Sequence, residues 1–223
     1  MKNAFDRMWT HTLTPPTIRL APAIAAVAIA AFGGMPLHAQ TYAKGQSARP
    51  LLTEPIDTRQ VQALPNHHPL WANPAEDTGA VPADLALNLT LVLARSPQQE
   101  AAFEQFLADQ HNPASPNYHR WLAPAQVGER FGLAEDDIET LTNWLVAQGL
   151  HVNWVAPSRV FIGFGGTATD IGRAFQTELH YYNVNGEQRM SVTSDPLIPQ
   201  AVLPAIKAIR GLYSVEELSL IHI

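Results

Sequence analysis

Leu85, Leu87, Leu89, Leu91 and Leu93 alternate with Ala86, Asn88, Thr90, Val92 and Ala94. A period of two held over ten residues predicts a strand. Ser96-Pro97-Gln98-Gln99 follows and predicts a helix start. Ser96 is the N-cap, Pro97 suits the first helical position and Gln99 completes a capping box. Phe103, Phe106 and Leu107 share one face of that helix, which should stop near Gln110 because Pro113 and Pro116 lie beyond it. Residues 112–131 read as an irregular, aromatic-rich connection. Glu135 to Gln148 is a second helix with Ile138, Leu141 and Leu145 on one face and Gly149 at the left-handed C-cap position.

The periodicity then returns to two. Leu150, Val152 and Trp154 alternate as a strand, Ala156-Pro157-Ser158 turns the chain, and Val160 to Phe164 comes back as another. Thr167 caps a short helix carrying Ile171, Ala174 and Phe175. Glu178 to Tyr182 is a further strand, Asn185-Gly186 is a hairpin turn, and Gln188 to Val192 returns from it. Val202, Leu203, Ile206 and Ile209 suggest a C-terminal helix ending at Gly211, starting at Pro204 if not before it. With the second helix taken as an insertion, the order is the βαββαβ plan of ferredoxin-like folds. The expected class is α+β, an antiparallel sheet with helices on one face and a C-terminal hairpin and helix extension.

The front of the chain differs. Lys2, Arg7 and Arg19 precede Leu20 to Phe32, thirteen residues without charge, and Gly33-Gly34 and Pro36 break that run. His38-Ala39-Gln40 offers a cleavage position between Ala39 and Gln40, so residues 1–39 carry the pattern of a secretory signal peptide and imply export to the periplasm or beyond. The apolar run is short of the ~20 residues a membrane span needs. Residues 40–82, rich in Pro, Ala, Asn and Thr, read as an extended arm, and His67-His68 within it as solvated loop histidines. The domain proper is then 83–213, with 214–223 starting a linker.

Charge and composition narrow the function. Without Lys2, Arg7, Arg19 and Asp6, the mature part holds 11 Lys and Arg against 19 Asp and Glu. So acidic a chain is a poor match for a phosphate backbone, and the first strand lacks the aromatics of an RNA-binding sheet; no nucleic acid is expected as partner. The absence of cysteine excludes disulfides, thiol nucleophiles and thiolate metal sites. There is no G-x-S-x-G elbow. Gly163, Gly165 and Gly166 have no lysine in phosphate-loop spacing and are explained by a tight strand-to-helix turn. Glu135, Asp136, Asp137 and Glu139 suit the N-terminal dipole of a helix without any acid-base role. His111 and His119 are eight residues apart with no third ligand indicated. No catalytic, cofactor or metal residue is therefore expected in this chain.

The stretch NPASPNYHRWLAPAQVGERFG, Asn112 to Gly132, resembles the D-P-x-S-P-x-Y-H-x-W-L-T-P…F-G signature of the pro-kumamolisin activation domain. Ser115, Pro116, Tyr118, His119, Trp121, Leu122, Pro124, Phe131 and Gly132 match; Asn112, Ala123 and Val127 depart from Asp, Thr and Phe. Phe164, Gly166 and Thr167 resemble the family's F-x-G-T stretch, and Phe175 and Thr177 its A-F-x-T. The resemblance implies a pro-domain of a sedolisin-type serine-carboxyl peptidase. Such a domain assists folding of the peptidase and blocks its cleft until acid autoprocessing. The implied partner is the peptidase domain in cis, and the calcium ion of that domain has no counterpart here. The alternative is a stand-alone secreted module that binds another protein. The last residues, Leu218 to Ile223, are what the transposase adapter CTGTCTCTTATACACATC encodes in frame, so a non-native end to a truncated reading frame is expected.

Overall fold

The computed structural model describes residues 49–214. In chain order the elements are β1 (Val61–Ala63), β2 (Asp77–Ala80), β3 (Ala86–Leu93), α1 (Pro97–His111), α2 (Pro124–Phe131), α3 (Glu135–Ala147), β4 (His151–Val155), β5 (Phe161–Thr167), α4 (Ala168–Phe175), β6 (Leu179–Val184), β7 (Glu187–Val192), β8 (Leu197–Pro199), a 3-10 turn (Gln200–Ala205) and β9 (Ile206–Arg210). The class is α+β, and every paired strand is antiparallel to its neighbour.

The main sheet has the order β4-β5-β3-β9. Leu89, Leu91 and Leu93 of β3 face the same side as Ile162 and Phe164 of β5, and all five are buried. Helices α3 and α4 contribute to the same core. Phe175 of α4 packs 5.9 Å from the Phe164 ring and 6.1 Å from Trp144 of α3, centroid to centroid. Burying side chains of this size is worth roughly 1.5–3 kcal/mol each, so this layer dominates stability. The Ser96 capping box forms as expected, with Gln99 N–H donating to Oγ of Ser96 and the Gln99 side chain accepting from Ser96 N–H. Thr167 caps α4 reciprocally with Asp170.

Three expectations change. The C-terminal helix is instead a 3-10 turn followed by strand β9. Ile206 and Ile209 are spaced like a helix face, but a bulge at Lys207 shifts the β3–β9 register and lets both residues face the core. Secondly, the strand expected at Glu178 to Tyr182 lies outside the main sheet. As β6 it is the centre of a separate sheet of order β2-β6-β7, and β9 takes the place beside β3. Thirdly, the connection 112–131 contains helix α2, whose Phe131 packs 5.3 Å from Phe103 and 5.6 Å from Phe106 of α1. Leu107, expected on that face, stays exposed.

Parts of the segment expected to be an arm pair with later strands, β1 with β8 and β2 with β6. Strands of three and four residues are too short to show a period of two. The signal-peptide expectation, with Ala39 and Gln40, lies outside the described residues, as does 215–223. Among the described residues no helix is long and apolar enough to cross a membrane.

Candidate functional site

One face of the main sheet is packed; the other is open. Its floor is set by Asn88 and Thr90 of β3 and by Gly163 and Gly165 of β5, which pair with them directly. A bulge between Val152 and Trp154 lets Val152 pair with inward Phe164 while Trp154 pairs with Gly163. The bulge therefore separates two side chains whose spacing suggested one face. The Trp154 indole lies across Gly163 so closely that a Cβ there would come within 2.2 Å of Cε2. His151 covers Gly165 in the same manner. These glycines accommodate large side chains from the next strand, a different role from the strand-to-helix turn expected for them. Trp154 remains 48% exposed although it lies flat on the sheet. Asn153 Nδ2 donates to Oδ1 of Asn88 at 3.2 Å, tying β4 to β3 on the exposed side. An exposed tryptophan on a flat, small-residue floor is the kind of anchor that protein partners use.

The motif residues divide between packing and display. Phe131, Phe164 and Phe175 are buried in the core layers. Gly132 is buried against the 156–159 turn, where a Cβ would meet Ser158 O at 2.7 Å. Pro124 opens α2 at its first turn and Leu122 is half-buried just before it. Ser115 Oγ accepts from Asn117 N–H, Pro116 is exposed beside it, and Ser115 O accepts from Tyr118 N–H, a compact turn. Tyr118 stacks on His119, ring centroids 3.8 Å apart, and Trp121 projects into solvent, 70% exposed. Thr167 is the α4 cap, and half-buried Gly166 precedes it in β5. Thr177 is buried; its Oγ1 donates to Ser194 O and accepts from Ser194 Oγ. The motif is thus part packing signature and part display, with Tyr118, His119 and Trp121 as its exposed rings. It does not gather into one cleft with acid, base and nucleophile. Among the described residues no three potential metal ligands cluster.

Three polar anchors escaped sequence reasoning. Asp137 is buried at the start of α3, and its carboxylate accepts from Leu51 N–H and Leu52 N–H. His67 is not a solvated loop residue but 5% exposed. Asp195 Oδ1 accepts from the N–H groups of His67 and His68 at 2.7 and 2.9 Å. Burial pushes the Asp195 carboxyl up, but the N–H groups of His67, His68 and Asn66 together outweigh it and hold it below the usual carboxylate range. Both carboxylates serve distant N–H groups, so no local pattern marks them.

Residues 73–215 match the family described as Pro-kumamolisin, activation domain. The chain belongs to that family. It is 28% identical over 167 residues to xanthomonalisin of Xanthomonas sp. (strain T-22), covering 75% of this chain and 18% of that protein. It is 25% identical over 188 residues to sedolisin of Pseudomonas sp. (strain 101), covering 81% of this chain and 30% of that one. Aorsin of Aspergillus oryzae (strain ATCC 42149 / RIB 40) is 29% identical over 93 residues, 41% of this chain and 14% of its own. The chain therefore spans less than a third of the length of these curated relatives. They are sedolisin-family peptidases, matched in their N-terminal region, and the chain corresponds to their pro-domain.

Proposed function

We propose that this chain is the folding assistant and inhibitor of a secreted sedolisin-type serine-carboxyl endopeptidase, docked on the peptidase domain until acid autoprocessing releases it. The observation that carries this reading is the main sheet's exposed face, in a chain belonging to an activation-domain family. Asn88, Thr90, His151, Trp154 and Arg210, the aromatic rings lying over Gly163 and Gly165, supply a flat, mixed surface suited to the peptidase domain of the longer relatives. Binding the folded peptidase and not its unfolded chain stabilises it by mass action, roughly 2.7 kcal/mol at a hundredfold excess over Kd. The four strands of the main sheet and the helices between them are taken here as a ferredoxin-like unit. Residues 1–39 are taken as the export signal. Any calcium ion belongs to the peptidase domain, and no residue of this chain is assigned to it.

The test is inhibition in trans. DNA sequenced past Glu217 supplies the cognate peptidase domain, and the purified chain is added to it at pH 7 and at pH 4. Tight inhibition at pH 7, weakened at least about tenfold by Trp154→Ala with the pro-domain still folded, is the expected result. No inhibition at either pH overturns the reading. A stop codon directly after the domain, or binding only to an unrelated secreted protein, favours a free-standing module instead.

A further inference from the structure

His67 sits where the 64–68 turn crosses the outer edge of the main sheet. Its Nδ1 lies 3.0 Å from Leu64 O and 2.9 Å from Pro65 O, both acceptors. Nδ1 therefore carries the ring proton and donates to them. Its Nε2 accepts from Ile209 N–H at 2.9 Å, in the buried edge of β9. Ile209 pairs with Leu91 on its other side, so the imidazole supplies the one acceptor that this outward N–H meets. The geometry demands a neutral ring. A proton on Nε2 would set an N–H against an N–H and remove the edge bond while leaving a buried donor unpaired, an arrangement that costs far more than an exposed one.

We propose that His67 is an acid-operated latch, releasing the 64–68 turn from β9 as the pH falls through the imidazole range. This deepens the regulation of the proposed pro-domain, resting on that reading for its use in activation but not for its chemistry. The groups facing the ring decide its direction. Asp195, on the loop before β8, attracts an imidazolium. However, that carboxylate is already engaged by the His67 and His68 backbone N–H groups. It does not replace the acceptor that Ile209 loses. His68 follows half-buried on the same turn, and on β9 Lys207 and Arg210 point to solvent. The sign follows. The latch needs the neutral ring, with Nε2 free to accept, so it is complete where the imidazole is neutral and lost where it is protonated. Asp195, held low, keeps its backbone bonds further into acid. The first opening is local, at the edge of β9.

Nuclear magnetic resonance of the full 223-residue chain, with no peptidase present, tests this. His67 ring nitrogen shifts and the exchange rate of the Ile209 amide, corrected for intrinsic exchange, are followed from pH 7.5 to 4.5. Ile209 protection should fall by at least about tenfold with the same midpoint as the ring titration. His67→Gln, whose carboxamide oxygen accepts the N–H but does not titrate, should flatten that profile. Constant Ile209 protection in the wild type, a midpoint unrelated to the ring's, or an equal loss in His67→Gln would overturn the latch. The wild-type measurement decides alone if the variant does not fold. Because no peptidase is in the sample, failure of the latch leaves the inhibitor reading standing, and the inhibition assay can fail without touching the latch.

Discussion

His67 and His180 both fasten the N-terminal stretch to the body of the domain, with chemically opposite partners. His67 accepts a backbone N–H and donates to carbonyls, so it works as a neutral ring. His180 on β6 lies between two carboxylates, Nδ1 2.7 Å from Oδ2 of Asp77 on β2 and Nε2 3.2 Å from Oε2 of Glu178. An imidazolium can donate to both. Protonation thus loosens the 64–68 turn and tightens the hold on β2, two opposite outcomes from one residue type. The contrast shows that pH response is written in what the ring touches, not in how many histidines a sequence contains.

Removing the first ring altogether should give the largest effect. His67→Ala leaves Ile209 N–H without its acceptor and opens a buried space at the edge of β9. We expect a loss of about 2–4 kcal/mol at pH 7, read from urea unfolding. A loss near zero would mean that water replaces the ring, and the contrast with His180 would shrink to charge alone.

Asp195→Ala should come next, at about 1–3 kcal/mol, since the carboxylate serves backbone donors of the same turn. Here the sign runs the other way from a raised group. Asp195 is held below the ordinary carboxylate range, so its contribution is complete above that range and lost as pH falls through the depressed value. The deficit of Asp195→Ala relative to wild type should therefore be equal at pH 7 and pH 5.5. The deficit of His67→Ala should narrow over the same interval, because the wild-type latch itself is opening.

Much of the core was legible from sequence because its signals are local. The leucine alternation of β3, the Ser96 and Thr167 caps and the Asn185-Gly186 turn each depend on residues within a few positions, and each forms as expected. Errors came where partners are distant. Lys207 bulges β9 and Asn153 bulges β4, and in each case a one-residue shift in pairing changes which side chains share a face. Nothing near Gly163 in sequence announces that Trp154 will lie on it. His67 meets Ile209 across 142 residues and Asp137 meets Leu51 across 86, separations at which spacing carries no information. The family motif, in turn, was legible as membership but not as geometry, since Phe131, Gly132, Phe164, Phe175 and Thr177 are buried while Pro116, Tyr118, His119, Trp121 and Pro124 are exposed.

The smallest effect, and the sharpest test of the comparison, belongs to His180→Asn. Its ion pairs lie near the surface, where such contacts contribute little and are screened by salt. Asp77 is held below the ordinary carboxylate range first by Gly79 N–H and then by His180, so the Gly79 bond survives the substitution. Of His180, Asp77 and Glu178 only the imidazole can become a cation, and His180→Asn removes it, so the variant should melt further below wild type at pH 5.5 than at pH 7.5. Adding 0.5 M sodium chloride should erase that difference but leave the His67→Ala deficit in place, because one contact is Coulombic and the other is a buried hydrogen bond. If salt reduced both equally, the two histidines would share one mechanism and the division of the N-terminal stretch into an acid-released and an acid-held part would fail.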